Sequence, residues 1–326
     1  LTTDALNAIG NTNFALLNTT QVAGLSTAQI AALSPTNLVT LTTGAAGQVK
    51  ALTTAQVAAL TSAQLNVLTS AQAQALTTAE VASISTNALT GLTTANLVAL
   101  DTNQLSALTT AQIQALTTGQ IVALSTTQAQ ALTTSQINAL LAAQVTAIST
   151  TDLVKLSSSQ LAAITTANIG NLSTSQVASL LTTQTNSLTT DNLRALSTDQ
   201  VVALTTAQAN ALTTVQVAAL LTTQVAALET RDLAALFPTQ VTALNTNAIQ
   251  ALTTSQTAAL TASQVAALSS SQIGALSTSQ MAVMLVGSIP HTSIPEAMQM
   301  FGGPLGRHLS TLPDGEVGWR RFWITR

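Results

Sequence analysis

Residues 51–85 read ALTTAQVAALTSAQLNVLTSAQAQALTTAEVASIS, almost the same eight letters four times over. Leu52, Leu60, Leu68, Leu76, Ile84, Leu92, Leu100 and Leu108 stand eight apart. The step continues through Leu116 and Leu276 to Met284. An earlier block, Leu1, Ile9, Leu17, Leu25, Leu33 and Leu41, keeps it too, and three residues are inserted near 44–50 before Leu52. The octad is Leu, Ser/Thr, Thr/Ser, x, Gln, Val/Ile/Leu, x, Ala. Internal repetition of this kind points to a stacked architecture.

Three architectures compete. A β-solenoid needs faces that alternate with period two. Here the apolar places are the first, sixth and eighth, and turn residues are too sparse for a corner at every rung. In one long helix, eight residues advance roughly 80° beyond two turns, so the Leu stripe would spiral around it. The third choice makes each octad a separate short helix. With Thr53 as N-cap, Gln56 falls at N3 and completes the capping box Ser/Thr-x-x-Gln. Leu52 and Val57 then take the N′ and N4 places of a hydrophobic staple. Of the 29 octads that begin at Leu52 through Leu276, 21 carry Gln in the fifth place, among them Gln64, Gln72 and Gln112. Most of the others carry Glu, Asp or Asn. Pro35 and Pro238, the two prolines inside the repeat, both fall at N1, where proline is favoured.

Helices this short do not stand alone in water, so stacking must hold them. The expected fold is all-α: a solenoid of very short capped helices over residues 1–283, with Leu and the N4 residue inward. Thr, Ser and Gln are expected to cap and to cover the outside. Leu141, Leu181 and Leu221 replace the cap residue at intervals of 40, and Asp152, Asn192 and Asp232 replace Gln at the same interval, so five octads read as a duplication unit.

Composition narrows the chemistry. Charged residues are 6% of 326, against about 25% in ordinary globular proteins. A net charge of −3 is too small and diffuse for a nucleic-acid surface. No cysteine is present, which excludes disulfides and thiolate metal sites. No run of about 18 apolar residues occurs, so no transmembrane segment is expected. Leu1 opens directly into the repeat, and the N-terminus reads as a cut end. No Ser/His pair, metal-ligand cluster or phosphate loop appears in residues 1–280, so catalytic, cofactor and metal residues are expected to be absent. Asp152 with Lys155 and Asp191 with Arg194 read as surface ion pairs at i,i+3, with Arg231 and Asp232 as similar surface charges. A Thr ladder could also serve as an ice- or polysaccharide-binding face, although capping already explains the first Thr of each pair. Ser and Thr are also acceptors for O-glycans in an exported protein.

The segments ALTTAQVAAL, ALTTSQINAL and ALSTTQAQAL resemble the Leu-Thr-Thr-x-Gln repeats of very large bacterial surface and adhesin-like proteins. The resemblance covers residues 1–280. It implies a secreted or surface-attached spacer or adhesive stalk, with broad weak binding to surface glycans or other proteins, no specific partner and no catalytic residue.

After Met281 the language changes. Residues 284–326 hold both His, both Trp and four of the six Pro. MLVGSIP reads as a short buried strand, SIPEAMQMF as a helix and LPDGE as a turn, a βα-like tail. Gly287, Ser288, Pro290, the run Pro313, Asp314, Gly315 and Glu316, and Gly318, Arg320 and Trp323 resemble the start of proteins related to cobalamin-independent methionine synthase, a (βα)₈-barrel family. That resemblance implies a fusion to a truncated enzyme domain. His291 and His308 lack a third ligand for a metal. A polar cap over the solenoid end is the rival reading.

Overall fold

The computed structural model describes residues 2–288, with side chains from residue 2 to Met284. Among them lie 34 α-helices and one short 3-10 turn, Val49–Ala51, and no strand. Nearly every octad makes one helix of four to six residues. The described residues form two compact units that divide between Ser179 and Leu180.

The local cause is the same in most octads. The cap residue is extended, as at Thr109 with φ −69° and ψ 159°. Its hydroxyl accepts the backbone N–H of Gln112 at 3.2 Å, and its own N–H donates to Gln112 Oε1 at 2.7 Å. Two of the donors that a helix start leaves open are thereby satisfied. The helix then runs over Thr110–Ala115, and the next Leu returns to extended backbone before the following cap.

Within each unit a helix packs on the helix three places later. In the first unit, Thr54–Ala58 packs on Thr78–Ser83 and Thr94–Ala99 on Thr118–Ala123. In the second, Thr206–Ala211 packs on Thr230–Ala235. Three octads, or 24 residues, therefore make one turn of a solenoid-like coil. Five octads are not a whole number of such turns, so the 40-residue spacing is not the pitch.

The core is a column of two residues per octad. Val57, Ile113, Val177, Val217 and Val265 are at most 1% exposed, and the leucines at place one are nearly as buried. Of the residues singled out above, Leu52, Leu60, Leu76, Leu108 and Leu116 are buried and Leu68 is half-buried. Pro35 and Pro238 open their helices at N1.

The inserted residues form a loop inside one capping box. Thr42 N–H donates to Gln48 Oε1 at 2.8 Å, and Gln48 N–H donates to Thr42 Oγ1 at 3.2 Å. The cap and its glutamine are six apart instead of three, and the reciprocal pair survives. Gly44, at φ +108°, supplies the left-handed backbone that this detour needs.

Two expectations are corrected. From Gln56 onward the place-five glutamine does not cover the outside: Gln56, Gln64, Gln72 and Gln112 are 1–2% exposed. Nor is Met284–Ser288 the beginning of a strand, because it lies in the helix Thr278–Ser288. Leu285 stands where a cap residue is due, and the helix runs through it to Ser288. Pro290, His291, His308, Pro313, Asp314, Gly315, Glu316, Gly318, Arg320 and Trp323 lie outside the described residues.

Candidate functional site

The recurring chemical feature is the glutamine at place five, and it has two ends. Its oxygen is fixed by the cap N–H. Its amide nitrogen is then turned inward, away from water, where a donor must find a partner. Gln112 Nε2 donates to Val81 O at 2.9 Å and Ile84 O at 2.7 Å, which are 31 and 28 residues earlier. Gln136 does the same to Leu105 and Leu108, and Gln256 in the second unit to Val225 and Leu228. These carbonyls belong to the N4 residue of the helix four places back and to the Leu that joins it to the helix one turn back. These glutamines thus start their own helices and clip them to the preceding turn.

The inserted loop leaves this register readable. Gln56, Gln64 and Gln72 lie beyond it and reach carbonyls 31 and 34 residues earlier. Gln104, whose span excludes the loop, returns to 28 and 31.

A second ladder runs forward on the outside from place seven. Asn7 Nδ2 donates to Ala32 O at 2.7 Å, Ser106 Oγ to Ala131 O at 2.9 Å and Asn186 Nδ2 to Ala211 O at 3.0 Å. Polar residues at place seven therefore help to tie turns together and are not merely solvated.

The hydroxyl pair divides its work. The first, as at Thr53, Thr109 and Thr133, is the cap. The second, as at Thr54, Thr110 and Thr134, is exposed. Exposed hydroxyls and amides line open grooves of about 560–570 Å³; Ser62, Asn66, Thr90, Thr93 and Thr94 line one, and Thr110, Gln114, Thr134 and Asn138 another. Leu141, Leu181 and Leu221 have no hydroxyl and are 38–50% exposed. Their N–H groups still reach Gln144, Gln184 and Gln224 at 2.8–3.0 Å, so half of the box persists without its cap oxygen.

The charges also need correction. Asp152 makes no ion pair with Lys155. It is 9% exposed, and its two oxygens accept Thr126 Oγ1 at 2.7 Å and Ser149 Oγ at 2.6 Å. Asp232, fully buried, accepts Thr206 Oγ1 at 2.6 Å. Its neighbour Arg231 pairs with Glu229 at 2.7 Å and lies 3.5 Å from Asp232. Among the described residues no ion pair joins Asp191 to Arg194. For Asp152, the i,i+3 spacing assumes both partners to be on the surface, but place five faces the preceding turn; nothing in the structure explains the unpaired spacing at Asp191. Among the described residues no three His, Asp or Glu approach as a metal site would require. No described helix is long and apolar enough to cross a membrane.

One sequence signal pointed to the buried amide. A capping box accepts Glu as readily as Gln, yet the 29 octads hold 21 Gln and a single Glu. Only the amide has N–H groups to give.

Compared with known families, the chain matches the ALTTAQ repeat over residues 6–43, 46–78, 81–118, 145–183, 185–223 and 225–262. The last three segments begin at 145, 185 and 225, the same 40-residue step as the leucine caps. No curated protein and no solved structure matches the chain.

Proposed function

From the premise that this chain belongs to the ALTTAQ repeat family, we propose that it is a structural repeat segment of a bacterial surface or secreted protein. It acts there as a spacer and presents a broad, weakly adhesive surface of hydroxyl and amide groups. It carries out no catalysis. The observation that supports this reading most is the use made of its buried polar groups. In turn after turn the buried glutamine binds its own helix start and the turn before it, which is the chemistry of a self-supporting stalk. The outward hydroxyls and amides fit many weak contacts with glycans or polar protein surfaces better than one deep pocket.

The test is a length series. The chain is displayed on a bacterial surface with an epitope at its outer end, and octads are removed three at a time from within one unit. Whole turns removed in this way should leave helical content per residue unchanged and withdraw the epitope in equal steps. Deleting 12 residues should break the clip register and unfold neighbouring turns. A saturable ligand bound at micromolar affinity, and lost through two or three point mutations in one groove, would replace the spacer reading with that of a specific receptor.

A further inference from the structure

One joint in the first unit lacks the glutamine clip altogether. The helices Thr78–Ser83, Thr86–Leu89 and Thr94–Ala99 make one complete turn of three octads. Their fifth places hold Glu80, Ala88 and Asn96, the only three consecutive octads after Leu52 without Gln there. Asn96 Nδ2 still reaches Leu68 O at 2.6 Å, and Ala88 has nothing to give. Glu80 occupies the amide's place, 3% exposed, and one carboxyl oxygen accepts Thr77 N–H at 2.6 Å as glutamine's would. The register read from Gln104 and Gln112 sets the carbonyls of Val49 and Leu52 opposite the other. An ionised carboxylate offers these two acceptors no proton.

We propose that Glu80 makes this joint proton-gated: as a neutral acid it donates to the carbonyl of Val49 or Leu52 and closes the joint, and as a carboxylate it leaves the joint loose. The surroundings favour the neutral form. Burial raises the Glu80 carboxyl above its ordinary value of 4.5, against the opposing hydrogen bonds from Thr77 and the charge of Lys50. Lys50, on the 3-10 turn, and Asp101, at the start of Thr102–Ser106, are the charged groups on the elements around this helix; Thr54–Ala58, Ser70–Ala75 and Thr86–Leu89 carry none. Because the folded value is raised, the stabilisation from Glu80 is complete below the ordinary carboxylate value. It is lost as pH rises through the raised one.

Hydrogen exchange of the full chain, followed by mass spectrometry and corrected for intrinsic exchange at each pH, tests this. Protection of peptides spanning 49–60 and 77–84 should be about tenfold higher at pH 4 than at pH 7, a ratio equivalent to about 1.4 kcal/mol. A control peptide at 136–148 should not change. Glu80→Gln should hold the high protection at both pH values, and Gln112→Glu should create the same acid-closed behaviour at 81–84 and 109–116. A joint equally protected at both pH values in the natural chain would overturn the proposal. So would a pH dependence that survives in Glu80→Gln, or a Gln112→Glu chain that folds without acquiring one.

Discussion

Two consecutive joints of the first unit are built from the same octad and held differently. In one, Gln104, Gln112 and Gln120 clip their turn to the preceding one through Leu76, Ile84 and Leu92 among other carbonyls. In the other, the same three places hold Glu80, Ala88 and Asn96. There the backbones approach so closely that a Cβ on Gly91 would lie 2.1 Å from Ser62 O. The capped start survives at both joints: Ser85 Oγ accepts Ala88 N–H at 3.2 Å with no glutamine present. Helix formation and turn stacking are therefore separable properties of one octad, and a single amide joins them.

Mutations at matched places should separate the two properties. The largest effect is expected at the joint without amides. Gly91→Ala must push Ser62 backbone away, which should cost about 3 kcal/mol in urea unfolding and expose the 49–68 segment to exchange. Next comes the clipped joint. Gln112→Ala leaves the Val81 and Ile84 carbonyls and the Thr109 N–H without their partner, a loss of about 2 kcal/mol on the same scale. Its helix should persist, with Thr109 still as cap, and far-ultraviolet circular dichroism should register little change. The smallest effect should have the opposite sign. Gly119, at the second position of a helix on the clipped side, has room for a Cβ, with nothing closer than Thr117 Oγ1 at 3.9 Å. Gly119→Ala should raise stability by about 0.5 kcal/mol, seen as a higher melting temperature. Should Gly91→Ala and Gly119→Ala behave alike, the close approach at Ser62 is not a feature of the protein in solution.

The local level of this architecture is legible in the sequence. Thr53 and Gln56, Thr109 and Gln112, and the prolines at 35 and 238 mark helix starts by covalent geometry and short-range hydrogen bonds, which neighbours in sequence can complete. The inward Leu and Val follow from their spacing. Asp152 and Asp232 read wrongly as surface charges because their partners, Thr126 and Thr206, lie 26 residues away. Met284–Ser288 reads wrongly as a strand because a short apolar run fits a strand and a buried helix equally well.

The sequence by itself determined that the chain is a succession of capped helix starts, eight residues apart, since an ordinary capping box is completed within four residues. Tertiary structure alone decided that helices meet three apart, that glutamine turns inward to the carbonyls of the preceding turn, and that the three inserted residues loop out between Thr42 and Gln48 without breaking the capping box. Those facts depend on how one turn settles on another, and a buried donor takes the acceptor that this settling brings within reach. The octad repeats the glutamine faithfully; only the coil shows what its nitrogen is for.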